Sequence, residues 1–261
     1  MAHAAPPDLT NSKASLLGLA RSYPRGHHIE PHQHEWGQVL YAISGVMWVE
    51  ASNEALLVPP HRAVWLPPGV SHAIRVVSEL QMRNIYLEPA LAQSLEGQVQ
   101  VVEVDTLLRE LILRLVEQDR QPDSEYYQAL CSLAVLELRR ARCNVPRVPL
   151  PDQTDRRLHS LCRAVMASPS LAISFEQHAA DIGASVRTLS RLFQRSLGMG
   201  FAEWRRQVHL ATAVAALADD TPVSVVAHSL GYLPGSFSEM FRREMGVTPS
   251  EYLGRAQPPA P

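Results

Sequence analysis

His32, His34, Gln38 and His72 are the residues in the first third of the chain whose types can do chemistry together. Imidazoles at i and i+2 of an extended strand leave from one face. With a third imidazole and an amide oxygen they form a set able to hold a divalent transition metal. Gln38 weakens that set, because an amide in place of a carboxylate removes an anionic ligand. The plainer use of the same side chains is to hydrogen-bond one another and line a polar pocket for a small molecule, walled by Tyr41, Trp48 and Trp65.

A second set lies in the last third, where one pattern is written twice, 48 residues apart (231 less 183). Gly183 returns as Gly231, Ser190 as Ser238, Phe193 as Phe241, Arg195 as Arg243, Gly198 as Gly246 and Glu203 as Glu251, while Trp204 reappears as Tyr252. Each copy reads as a short helix, a Gly turn, a second amphipathic helix and a closing Gly. That is the sequence form of a helix-turn-helix, which lays its second helix in a DNA groove. In the first copy this helix follows Ser185 and turns Val186, Leu189, Leu192 and Phe193 inward. Arg187, Thr188, Arg191, Gln194 and Arg195 face outward, and with Ser185 and Ser190 they offer donors that suit base edges and phosphates. In the second copy the helix runs from about 234 to 245, buries Phe237, Met240 and Phe241, and presents Gly235, Ser236, Glu239, Arg242 and Arg243.

The elements that must position these residues differ between the two halves. Over residues 16–100 short apolar runs of period two (39–43, 46–49, 63–66, 74–77 and 83–87) are broken by turns such as Ser44-Gly45 and Pro67-Pro68-Gly69. They predict a small antiparallel barrel or jelly roll. Over 101–143 the period becomes helical, with stripes at Leu107, Leu108, Leu111, Ile112, Leu115 and Val116, then at Ala129, Leu130, Leu133, Ala134, Leu136 and Leu138. Gln121-Pro122-Asp123 separates the two stripes. This hairpin packs on the barrel, offers a face to a second copy, or does both. Residues 144–153, with Pro146, Pro149 and Pro151, read as a semi-rigid linker. Residues 1–15 read as a loose arm and 257–261 as a mobile tail.

In the helical part, 154–256, a leading helix spans about 155–167. Ser174 with Gln177 predicts a capping box, Thr221 with Pro222 an N-cap and first helical residue, and Thr248 with Glu251 a further box that packs Tyr252 and Leu253 back. A helix over 201–218 joins the two copies. Eighteen residues rise roughly 27 Å, near the roughly 34 Å between successive major grooves on one face of DNA. One chain is thereby expected to read two adjacent grooves.

The 261 residues suffice for two domains, and 46% hydrophobic content excludes a largely disordered chain. The formal net charge of -2 does not by itself announce a nucleic-acid binder. Arginines at 187, 191, 195, 205, 206, 242 and 243 instead form a local basic footprint. No apolar run approaches a membrane span and no signal peptide is evident, so a cytoplasmic protein is expected. Cys131, Cys143 and Cys162 lack zinc-like spacing and read as buried thiols.

Two resemblances add to this reading. Gly26, His32, His34, Gln38 and Gly45 follow the spacing of the first cupin motif, with Gln where many cupins have Glu. Pro67-Pro68-Gly69-Val70-Ser71-His72 follows the second, although His61 and Val76 stand where Gly and Asn are usual. The resemblance implies that Gln38 and His72 converge on the other two histidines inside a barrel. In cupin-like sensor domains it implies a pocket for an organic effector more often than a catalytic metal. The segments 185–193, Leu230-Gly231-Tyr232 and 237–249 resemble the AraC-type transcription factors. From Gly231 to Gly246 the chain is one residue shorter than the usual second unit, around Leu233-Pro234-Gly235.

The AraC-type resemblance implies an α+β protein of two domains: a cupin-like β-barrel with a helical hairpin, then an all-α domain of two helix-turn-helix units. It implies a DNA-binding regulator and not an enzyme, a small-molecule effector, a homodimer, and RNA polymerase as a further candidate partner. The alternative from another class is a metal-dependent cupin enzyme fused to a DNA-binding domain.

Overall fold

In the computed structural model the described residues are 15–95, 97–117, 124–141, 146–152 and 155–256, without the side chains of 253–256. The arm up to residue 14, the separator Gln121-Pro122-Asp123, residues 144, 145 and 153 of the linker, the packing of Leu253 and the tail from 257 lie outside them.

The chain opens with strands β1 (Leu16–Tyr23), β2 (His28–His32), β3 (Gly37–Ser44), β4 (Met47–Ala51), β5 (Glu54–Val58), β6 (Arg62–Leu66), β7 (His72–Val76) and β8 (Leu80–Leu87). A single turn, α1 (Pro89–Ala92), leads to β9 (Gln100–Glu103), the hairpin helices α2 (Thr106–Glu117) and α3 (Glu125–Arg140), and a two-residue strand β10 (Val148–Pro149). Then come α4 (Arg156–Ala167), α5 (Phe175–Asp181), α6 (Val186–Leu197), α7 (Phe201–Ala218), α8 (Val223–Ser229), α9 (Pro234–Met245) and α10 (Pro249–Ala256). Contacts divide the chain between Val145 and Pro146, with Asn53–Ala55 grouped with the second unit.

In the first unit one sheet has the order β1-β8-β3-β6-β9, and β5-β4-β7-β2 run side by side in the other. All the registers described are antiparallel. Period-two alternation gives β3 two different faces. Leu40 and Ala42 join Met47, Val49, Ile74 and Met82 in the barrel interior. Val39 and Tyr41 join Trp65, Ile85 and Val102 in a cluster with Leu108, Ile112, Ala134 and Leu138 of the hairpin. The hairpin therefore packs on the outer face of its own barrel. Gly18 on β1 marks the closest approach: a Cβ there would lie 2.4 Å from Leu115 O and 2.6 Å from Val116 Cα.

Three details of this unit depart from the periodicity argument. β9 pairs with β6 across the boundary expected at residue 100, and the first helix starts at Thr106. Strands β1, β2 and β5, which carry no clean alternation of their own, are held by pairing with neighbours. On α3 the buried side is Tyr127, Cys131, Ala134, Val135 and Leu138, leaving Tyr126, Leu133 and Leu136 exposed, as Leu107 is on α2. The helix had two apolar stripes to choose from, and the one carrying Tyr127, whose hydroxyl donates to Leu16 O, was taken by the barrel.

In the second unit α7 is the central rod, with Trp204, Val208, Leu210, Ala211, Val214 and Leu217 all buried. Around its start Phe175, Phe193, Phe201 and Trp204 stack and tilt on one another. Around its end Val226, Ala227, Leu230, Phe237, Met240 and Phe241 form the second core with Val214 and Leu217.

Candidate functional site

The histidines do come together. His32 ends β2 and pairs directly with His72 at the start of β7. His34 lies two residues beyond the strand, not on it as the i, i+2 argument supposed, and it reaches the cluster from the connection to β3. Ring centroids are 4.3 Å apart for His32 and His72, and 5.3 Å for His34 and His72. One ring nitrogen from each of the three lies within 4.8 Å of the others.

Backbone carbonyls set the orientation. Nδ1 of His32 bonds to Glu30 O at 2.9 Å, Nδ1 of His34 to Trp36 O at 2.6 Å and Nδ1 of His72 to Val70 O at 3.0 Å. Each Nδ1 is thus the donor, which leaves Nε2 as the ring atom that a metal would take. Burial, reinforced by the neighbouring imidazoles and opposed by Val70, pushes His72 down to about 3, so its ring is neutral. Its Nε2 is buried without a partner. His34 Nε2 stands 2.9 Å from Gln38 Oε1, while Gln38 Nε2 donates to Tyr86 OH at 3.0 Å. A neutral His34 needs the amide turned the other way, whereas a cation on Nε2 suits the oxygen where it stands. The donor set fits a divalent transition metal held by His32, His34, His72 and the Gln38 oxygen.

Tyr41, Trp48 and Trp65 are not beside the histidines. Tyr41 is three residues after Gln38 on one strand, so it faces the hairpin, and Trp65 pairs with Val39 on that same face. Trp48 points away from Met47 and Val49, which belong to the interior. The side chains that line the lumen with His32 and Gln38 include Arg21, Tyr23, Asn84 and Tyr86, around a cavity of only about 20 Å³. Asn84 and Tyr86 alternate with Ile85 and Leu87, so parity within the expected strand would have found them had Gln38 been used to set the face. Asn84 Oδ1 is a buried acceptor without a partner, and burial pushes Tyr86 up to about 12 against a hydrogen bond from Asn84.

The paired helices carry the second site. Ser185 caps α6 by accepting from the Thr188 N–H at 3.1 Å, and its hydroxyl is 2.9 Å from that of Thr188. Leu189 and Phe193 are fully buried, while Val186, expected inward, is 38% exposed because it occupies the first turn beyond the core. Ser190, Arg187, Arg191 and Arg195 are exposed. The three arginines recur every four residues, about 6 Å apart along the axis. Among the described residues they make no hydrogen bond or ion pair. Gln194 instead closes the helix end, donating to Gly198 O at 3.2 Å.

On α9, Gly235, Ser236, Glu239, Arg242 and Arg243 are exposed, over buried Phe237, Met240 and Phe241. Arg243 lies 3.3 Å from Glu244, which also stands 3.6 Å from Arg206. Arg205 sits 5.0 Å over the Phe201 ring and donates to Ile173 O at 3.1 Å, so it serves the fold rather than the basic footprint.

Two caps differ from those the sequence predicts. Gln177 bonds to Asp181 and not back to Ser174, leaving half a capping box. Thr221 belongs to the turn that ends α7, its N–H bonded to Ala216 O, so Pro222 takes the N-cap position of α8. The box at Thr248 and Glu251 is complete. Helix α9 starts from Leu233, which has no capping side chain and is 76% exposed.

Residues 14–138 match the family described as AraC-like ligand binding domain, and residues 178–255 match that described as helix-turn-helix domain. The HTH-type transcriptional regulator NimR of Escherichia coli is 29% identical over 231 residues, covering 86% of this chain and 82% of its own. RipA of Corynebacterium glutamicum, also an HTH-type transcriptional regulator, is 35% identical over 130 residues, 49% of this chain and 39% of its own. The chain belongs to the AraC-type transcriptional regulators. A crystal structure of ToxT from Vibrio cholerae, bound to an unsaturated fatty acid, aligns at a TM-score of 0.38 and 13% identity over 92% of the regulator and 95% of ToxT. Among the described residues of the regulator no helix is long and apolar enough to cross a membrane.

Proposed function

We propose that the regulator reads a specific operator by placing α6 and α9 in neighbouring major grooves, and that ligand binding in its first unit controls this. The single observation that carries the reading is the row of Arg187, Arg191 and Arg195, unpaired and outward over a fully buried Leu189 and Phe193. No described residue bonds those guanidinium groups, and Arg is the side chain that bonds guanine and phosphate best. The test is retention of genomic fragments by the full chain, then affinity for the retained sequence. Arg187→Ala/Arg191→Ala should lose specific retention, and unchanged affinity would remove α6 from the model.

A second proposal is a divalent transition metal on His32, His34, His72 and Gln38. The lone, buried Nε2 of His72 supports it, as does the small lumen, which has room for about one water rather than a metabolite. Elemental analysis of the purified chain and of His72→Ala tests it: stoichiometric metal in the first and none in the second supports the site. A metal that also turned over a substrate would favour the enzyme alternative. We further propose that two copies associate through Tyr126, Leu133 and Leu136 of α3.

A further inference from the structure

A cavity of about 230 Å³ separates the β6–β9 edge of the first sheet from the last turn of α3, on the opposite face of the sheet from the histidines. Trp65, Gln100 and Val102 form its floor, and Leu95, Leu138 and Arg139 its side and roof. The Trp65 ring is held in place, because a Cβ on Gly37 would lie 2.2 Å from its Cη2. Trp65, Val102 and Leu138 are all at least nine-tenths buried, so the void is bounded by well-packed apolar groups. Such a void forfeits dispersion contacts that a filled core would have.

Among the described residues, one charged side chain stands on the lining. Arg139 Nε donates to Ser94 O at 3.0 Å, which anchors the guanidinium at the rim. Among the described residues its terminal nitrogens have no partner. A planar cation whose Nη1/Nη2 edge is free among the described residues matches a carboxylate. The space, apolar at Trp65, Val102 and Leu138 and polar at Gln100 and Arg139, exceeds the roughly 150 Å³ that admits benzene.

We infer that this cavity binds a small planar carboxylate of one or two rings, its ring on Trp65 and its carboxylate on Arg139. Because the roof is the inner side of α3 and Tyr126, Leu133 and Leu136 are on its outer side, occupancy biases where that outer face sits. The consequence for DNA binding rests on the regulator reading, while the binding itself does not.

The test is titration calorimetry on the full chain with benzoate and indole-3-acetate, against benzamide and indole-3-acetamide. The acids should bind at least about tenfold more tightly than the amides, and Arg139→Gln should remove about that factor, as expected for a charged hydrogen bond. Gln100→Trp, a half-buried position that fills the space, should abolish binding while circular dichroism stays native. No binding by either acid overturns the inference, as does binding that survives Arg139→Gln but is lost in Arg21→Gln, which would put the ligand in the lumen. Fragment retention on the same preparation keeps the readings apart: operator binding without carboxylate binding sinks only this site.

Discussion

Replacing His209 with Gln should flatten part of the acid limb of the regulator's stability curve. His209 is fully buried in α7, its Nδ1 is 3.0 Å from the Tyr232 hydroxyl in the turn of the second helix-turn-helix, and its Nε2 is buried without a partner. Burial, then the nearby charge of Arg205, pushes the imidazole down to about 4. An unfolded histidine protonates near 6.5. The unfolded chain therefore gains a proton before the folded one, so stability is full above about pH 6.5 and falls as pH drops toward 4. The total is about 3 kcal/mol, of which about 2 kcal/mol is lost between pH 7.5 and 5. Gln retains a polar group for Tyr232 and does not titrate. Urea unfolding of both proteins, followed by circular dichroism at the two pH values, isolates the effect, because every other titrating group is shared. The variant should lose about 2 kcal/mol less than the natural chain. Parallel losses would refute the reasoning, since they mean that His209 is solvated or already charged in the folded state.

Three other outcomes follow from packing and charge. Gly18→Ala should cost about 1–3 kcal/mol in urea unfolding, because the added methyl meets the backbone of α2 rather than a movable side chain. Arg195→Ala should lower the slope of log affinity against log salt by about 0.9 if the residue contacts a phosphate, measured by fluorescence anisotropy on the retained operator. Leu133→Lys/Leu136→Lys should shift the sedimentation of the natural chain toward the monomer while circular dichroism stays native, since both side chains face solvent in the single chain; unchanged sedimentation would remove this face from the association.

The functional class was legible because it is written in short-range signals. A repeat at constant offset, with Gly at both positive-φ turns (Gly183 and Gly231) and Gly198 and Gly246 closing the second helices, specifies two similar units whatever surrounds them. The start of α6 was equally local, since Ser185 needs only the N–H three residues on. Local reasoning failed where two answers were locally equal: α3 has two apolar stripes, and Thr221 and Pro222 are both competent starts. The first was settled by the barrel and the second by the turn that ends α7.

By itself, then, the sequence determined the two classes of unit, the repeat and the identity of the three histidines, since periodicity and cap chemistry need no partner from elsewhere in the chain. Tertiary structure alone decided which face each residue took. It turned Tyr41 and Trp65 away from the histidines, brought Arg21, Asn84 and Tyr86 toward them, pinned Arg205 on Phe201 and left Arg187, Arg191 and Arg195 exposed. The physical reason is that a side chain's direction is shared with its cross-strand and cross-helix neighbours, and those lie far off in sequence, 111 residues for Tyr127 and Leu16.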